Sequence, residues 1–316
     1  MRYAMKKVFV LLLVMVVCLP LFAQQRRMGS LRPTPDKWEN PTGPHKVVME
    51  VFADFPDYTI YRPADLDSYK EKSLHPVIMM GPGCNPDGDS FRPFWTEVAS
   101  YGYLVIAAGR PVPEGVMVPV FYLGTEDILK AMDWVSAQAV DPSSPFYKIL
   151  DADHQSLWGQ SCGGIQCLRQ VEDKRVDNLV FWNSGSLLMG NIDREGPHVF
   201  AEGGRDIFGT KDLKQLVLNA KVAIAYFAGD TGMERQAAQA DFNDLSSVPV
   251  VHAVRAIPGD AHAGTFREKN GGAFAPAAVA WLEYRFGDAK KGKAAFTGKN
   301  SFANDPDWIL VQTKNL

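Results

Sequence analysis

Apolar residues in this chain fall into two kinds of run. Short and nearly continuous ones at 76–80, 103–108, 155–159, 177–182, 221–228 and 249–256 read as strands buried on both faces. Longer ones repeat at three- and four-residue spacing and read as amphipathic helices. The clearest covers 125–138, with Ile128, Leu129, Met132, Trp134 and Val135 as its buried stripe, and another at 273–286 closes the fold. Segments 46–52 and 58–61 alternate instead, as edge hairpin strands do. Strands separated by helices predict an α/β protein built on a doubly wound, mostly parallel sheet with helices on both faces. No internal repeat interrupts the pattern, so 45–316 reads as one domain.

The N-terminus departs from this pattern. Two lysines at 6 and 7 precede an apolar run from Val8 to Val17, and Leu21-Phe22-Ala23 suits signal-peptide cleavage. The expectation is a signal peptide over 1–23, an extended or disordered leader over 24–44, and a periplasmic or extracellular mature protein. The apolar run is short for a membrane span, and lipid attachment at Cys18 lacks a small residue immediately before it. The 316 residues are 46% hydrophobic and 22% charged with net charge −3, which suits neither extensive disorder nor nucleic-acid binding. Lys290, Lys291, Lys293 and Lys299 read as a solvated basic surface.

Chemistry concentrates at strand ends. Gly159-Gln160-Ser161-Cys162-Gly163 lies between a strand and a helical run and has the form of a nucleophile elbow, in which a serine sits on a strained turn and glycines are needed for close packing. The run at 221–228 ends in Gly229-Asp230-Thr231-Gly232, and the run at 249–256 leads to His262. Parallel strands gather their C-terminal ends on one edge, so Ser161, Asp230 and His262 can converge there. Their order, serine then acid then histidine, is that of the α/β-hydrolases. In such a triad the imidazole takes the serine proton and the carboxylate orients the imidazole. Asp230 is the first choice for the acid because it sits on the loop where that fold carries one. Asp260 is an alternative and Glu234 a weaker one. The oxyanion would be held by the N–H groups of Cys162 and of Cys84, the latter on the loop Gly81-Pro82-Gly83-Cys84-Asn85 after an early strand, where Gly83 lets backbone approach substrate. Other histidines lack ligand spacing, and no metal site is expected.

The stretch 94–109, the segment 159–164, Trp182-Asn183-Ser184-Gly185 and the run 259–265 together resemble secreted α/β-hydrolases related to dienelactone hydrolases, cutinase-like polyester hydrolases and chlorophyllase-like esterases. The resemblance covers about 45–286 and implies carboxylic ester hydrolysis without a cofactor. It also offers Trp182 as an aromatic platform beside the substrate, with core packing as the competing role. Segments 111–124, carrying Phe121 and Tyr122, and 184–214 are candidates for shaping the substrate cleft. With Cys18 removed, Cys84, Cys162 and Cys167 remain, so at most one internal pair can form. Cys84 with Cys162 is the sensible pair because their loops must meet, against the alternative of three buried thiols. The expected substrate is a small or polysaccharide-linked ester, acetyl or feruloyl for example. A prolyl-oligopeptidase-type peptidase and a non-catalytic binding protein of the same fold are the other readings.

Overall fold

Nine strands hydrogen-bond into one sheet in the order β1-β2-β4-β3-β5-β6-β9-β10-β11 in this computed structural model, which describes residues 40–70, 72–112, 123–186, 200–201, 205–206 and 212–316. These strands are β1 (Val47–Glu50), β2 (Tyr58–Pro63), β3 (Pro76–Met80), β4 (Leu104–Ala108), β5 (Gln155–Gln160), β6 (Val176–Trp182), β9 (Ala223–Gly229), β10 (Val250–Arg255) and β11 (Trp308–Lys314). A separate two-residue ladder pairs β7 (Phe200–Ala201) with β8 (Arg205–Asp206). The six strands from β4 to β10 in the sheet run parallel, with β1 and β2 added antiparallel on one side and β11 on the other. The signal-peptide segment, residues 24–39 of the leader, Phe121, Tyr122 and most of 184–214 lie outside the described residues.

Alternation along the strands sorts the core into two layers. Val77 and Met79 of β3, and Val180 and Trp182 of β6, face one side, while Ile78, Met80, Leu179 and Phe181 face the other. The first side is covered by helices α1 (Arg92–Ser100) and α6 (Phe274–Phe286), which bring Phe94, Trp95, Phe274 and Trp281. The second is covered by α2 (Thr125–Val140), α3 (Cys162–Leu168), α4 (Leu213–Asn219) and α5 (Met233–Asp244), through residues such as Ile128, Leu168, Val217 and Phe242. Burying both faces explains why the central strands read as continuous apolar runs.

The C-terminus extends beyond the expected closing helix. Helix α7 (Ala289–Thr297) packs Gly292 and Phe296 inward and leaves Lys290, Lys291 and Lys293 exposed, and the chain then returns as β11 against β10. The basic residues are therefore on the surface, and the segment following them is an edge strand.

One core residue makes stability depend on pH. His252, on β10, is fully buried near the rings of Tyr226 and Phe242, and neither ring nitrogen has a hydrogen-bond partner among the described residues. Burial, with a smaller contribution from the Arg235 charge, lowers its pKa from 6.5 to about 4. The unfolded chain then binds a proton between those values that the folded chain refuses, so stability is lost as pH falls from 6.5 toward 4. The loss expected from this residue is about 3 kcal/mol. Urea unfolding of wild type and His252→Phe at pH 7 and pH 4.5 checks it, since the variant should lose less stability on acidification.

Candidate active site

The C-terminal ends of β3, β5, β6, β9 and β10 meet on one edge because their registers are in step. Met80 lies opposite Gly159, Gly159 opposite Phe181, and Trp182 opposite Phe227. Ser161 follows β5 directly and caps α3, at φ 55° and ψ −128°, a conformation disfavoured for any residue with a Cβ. Its N–H donates to the Trp182 carbonyl at 3.0 Å, and its own carbonyl accepts from the Ser184 hydroxyl at 2.7 Å. The strain is thus held from outside by β6. A Cβ at Gly159 would lie 2.2 Å from the backbone of Gly163, and one at Gly163 would lie 2.5 Å from the Met80 carbonyl, so both positions must be glycine.

Beside this turn lies the loop after β3. A disulfide joins Cys84 to Cys162 with their Cα atoms 5.7 Å apart, which settles the pairing expected from sequence, and Cys167 is a free, buried thiol. Burial pushes the Cys167 thiol well above its ordinary pKa, and it donates to the Trp158 carbonyl at 3.2 Å. As the first residue of α3, Cys162 has no carbonyl in its own helix to receive its N–H. No acceptor for the Cys84 N–H occurs among the described residues. The disulfide ties the loop that carries one of these amides to the helix that begins with the other. Gly83 is different, because its N–H already donates to the Gln160 side-chain oxygen at 2.6 Å.

The disulfide closes a loop with a sequence separation of 78 residues. Chain entropy alone makes such a closure worth on the order of 4 kcal/mol. Cys84→Ser is expected to lower the unfolding free energy by several kcal/mol in a denaturant titration, and dithiothreitol should do the same to wild type while leaving the variant unchanged.

His262 sits in a short 3₁₀ turn, Ala261–Ala263, after β10, with its side chain 41% exposed. Three carboxylates lie on the neighbouring segments, and their contacts separate them. Asp260 caps the turn by accepting the His262 N–H at 3.1 Å. Asp230 accepts the N–H of Ile257 at 3.1 Å. Glu234, in the first turn of α5, places Oε1 2.6 Å from His262 Nδ1 and is largely buried. Among the described residues Nδ1 has no hydrogen-bond partner, so Glu234 approaches the ring without completing a hydrogen bond to it. Of the acids weighed from the sequence, Glu234 is the one facing the ring, and the carboxylate of Asp230, the first choice, instead accepts a backbone N–H at the start of the histidine loop. The four-residue difference has a physical cause. Gly232 turns the chain at φ 106°, and a Cβ there would meet Glu234 Oε2 at 2.1 Å, so the carboxylate folds back over a position only glycine can occupy.

Trp182 is also corrected. It is fully buried, ringed by Phe94, Trp158, Phe227, Phe266 and Phe274, and presents no face to a ligand. Its part in the site is the backbone carbonyl that holds Ser161. Phe121 and Tyr122 lie outside the described residues. No group of three or more His, Cys, Asp or Glu side chains suited to a metal occurs among the described residues.

Two carboxamides that sequence reasoning passed over also belong to this edge. Gln160 donates to the His262 carbonyl at 3.0 Å, and Asn183 donates to the same oxygen at 3.1 Å. The available signal was a polar amide at the end of an otherwise apolar strand. No protein-family model matches this chain, and no curated protein is significantly similar to it.

Proposed function

We propose that this chain is an exported serine hydrolase of the α/β-hydrolase fold that cleaves carboxylic esters, with Ser161, His262 and Glu234 as its triad. The observation that carries this reading is the contact between Glu234 and His262, on a histidine loop hydrogen-bonded to the residue immediately before the strained Ser161. In the reaction His262 Nε2 removes the Ser161 hydroxyl proton as Oγ attacks the ester carbonyl carbon. The oxyanion of the tetrahedral intermediate accepts hydrogen bonds from the Cys84 and Cys162 amides. Nε2 then gives its proton to the departing alcohol oxygen, leaving an acyl-serine. Water, deprotonated by the same nitrogen, attacks that acyl carbon, and the proton returns to Ser161 as the acid departs. Glu234 stabilises the imidazolium formed in each half.

The 41% exposure of the His262 side chain leaves the base accessible at the surface, which suits an ester whose alcohol is a bulky chain. Acetyl or feruloyl decorations of polysaccharide are the substrates we favour. Export is supported by the disulfide, which persists in oxidising compartments, and by the basic then apolar N-terminal sequence. Among the described residues no helix is long and apolar enough to cross a membrane.

The test is a fluorophosphonate adduct mapped by mass spectrometry, alongside hydrolysis of p-nitrophenyl and feruloyl esters of graded acyl length. A phosphonyl group on Ser161 with ester turnover is the expected result. A protein that neither labels nor hydrolyses any member of the panel overturns the proposal.

A further inference from the structure

We infer that Gln160 is a positioning residue that links the oxyanion loop to the catalytic histidine, with Asn183 completing the link to the acid loop. The inference rests on the serine-hydrolase reading above and concerns what keeps its parts in register. Gln160 is the last residue of β5 and is 4% exposed. Its Oε1 accepts the Gly83 N–H at 2.6 Å and its Nε2 donates to the His262 carbonyl at 3.0 Å. The partners dictate this orientation, because a flipped amide would set donor against donor at Gly83 and acceptor against acceptor at His262. Asn183, 2% exposed, follows the same logic: Oδ1 accepts the Gly229 N–H at 2.7 Å and Nδ2 donates to the His262 carbonyl at 3.1 Å.

The His262 carbonyl thus accepts two bonds, one for each lone pair, and both donors stand beside Ser161. Gln160 precedes the serine in the chain, and Asn183 follows Trp182, whose carbonyl holds the serine N–H. Through two amides the loop after β3, the elbow after β5, the end of β6, the end of β9 and the histidine loop form one connected set. Engaging Gly83 also occupies its N–H, so that in the proposed mechanism the next amide, that of Cys84, is left for the oxyanion. A histidine that must serve two oxygens in turn tolerates little displacement, and about 1 Å of misplacement can cost a hundredfold in rate.

The test uses Gln160→Glu and Gln160→Met in the full chain, with kcat and KM measured for a short p-nitrophenyl ester from pH 5.5 to 9. A protonated carboxyl has the same shape as the amide, accepting from Gly83 and donating to His262, whereas an ionised one can no longer donate. Gln160→Glu should therefore lose activity with rising pH on an alkaline limb absent from wild type. Gln160→Met should lower kcat by about tenfold to a hundredfold at every pH, with KM changed little. A residue that only held the fold would lower melting temperature without adding a pH limb. If wild type labels and turns over while both variants stay within threefold of it at all pH values, this inference fails and the hydrolase reading stands. If both variants unfold, Gln160 is a structural residue and the inference fails equally. If wild type itself neither labels nor turns over, the hydrolase reading fails first.

Discussion

Ser161→Ala is expected to lower kcat for ester hydrolysis by on the order of 10⁶-fold and to abolish fluorophosphonate labelling. The magnitude follows from what the hydroxyl does. In the proposed mechanism only Ser161 forms the acyl-enzyme, and the loss of either serine or histidine from a triad removes nearly everything the triad contributes. What remains is the rate supplied by binding and the oxyanion amides. The fold should not notice the change, because the bonds holding this residue run through its backbone: its N–H to Trp182 and its carbonyl to Ser184 and Gly164. Alanine keeps the Cβ and so keeps the strain of φ 55°. Ser161→Gly removes that Cβ and should raise the unfolding free energy by about 1 kcal/mol or more while activity stays lost. Inactive alanine with unchanged melting and inactive glycine with raised melting would identify Ser161 as a residue whose strain serves catalysis. Appreciable turnover by Ser161→Ala would move the nucleophile elsewhere.

The parts of this protein legible in its sequence are those set by burial and close approach. Strands β3, β6, β9 and β10 read clearly because covering both sheet faces demands apolar side chains at consecutive positions. The turn at Ser161 read clearly because Gly159 and Gly163 are needed wherever backbones come within reach of a Cβ, and the contacts bear this out. Pairing of Cys84 with Cys162 was the sensible choice because their loops had to meet, with three buried thiols left as the alternative, and the structure shows the bond. Side-chain direction at a loop is harder. Trp182 sits at a strand end, where an aromatic can face substrate or core, and the alternation that places Val180 beneath α1 and α6 places Trp182 there too. Strand β11 was overlooked because a run of lysines suggested a solvated tail, although Trp308–Lys314 carries apolar residues enough for an edge strand. Gln160 and Asn183 were invisible for another reason: an amide at a strand end acquires a role only from the two backbones it joins.

Glu234→Gln should lower kcat by about 10³ to 10⁴-fold near neutral pH, and Asp230→Asn should leave kcat within a few fold of wild type. Sequence alone ranked the two the other way, since Asp230 stands immediately after the strand and Glu234 four residues on. Under the proposed mechanism their contacts favour Glu234. Glu234 Oε1 is 2.6 Å from His262 Nδ1, whereas Asp230 spends its carboxylate on the Ile257 N–H. A glutamine at 234 removes the negative charge that steadies the imidazolium, and its NH₂ can face Nδ1 and hold the wrong tautomer. An asparagine at 230 keeps an oxygen for Ile257, so melting should change little. Asp230→Ala loses that oxygen and should cost about 1.5–3 kcal/mol of stability, while the folded enzyme keeps its pH profile. Kinetics and melting of the three variants together distinguish the roles, because a catalytic acid changes kcat and a loop anchor changes stability. A severe loss of kcat in Asp230→Asn with normal turnover in Glu234→Gln would restore Asp230 as the acid and require the loop from Gly229 to Gly232 to rearrange when substrate binds.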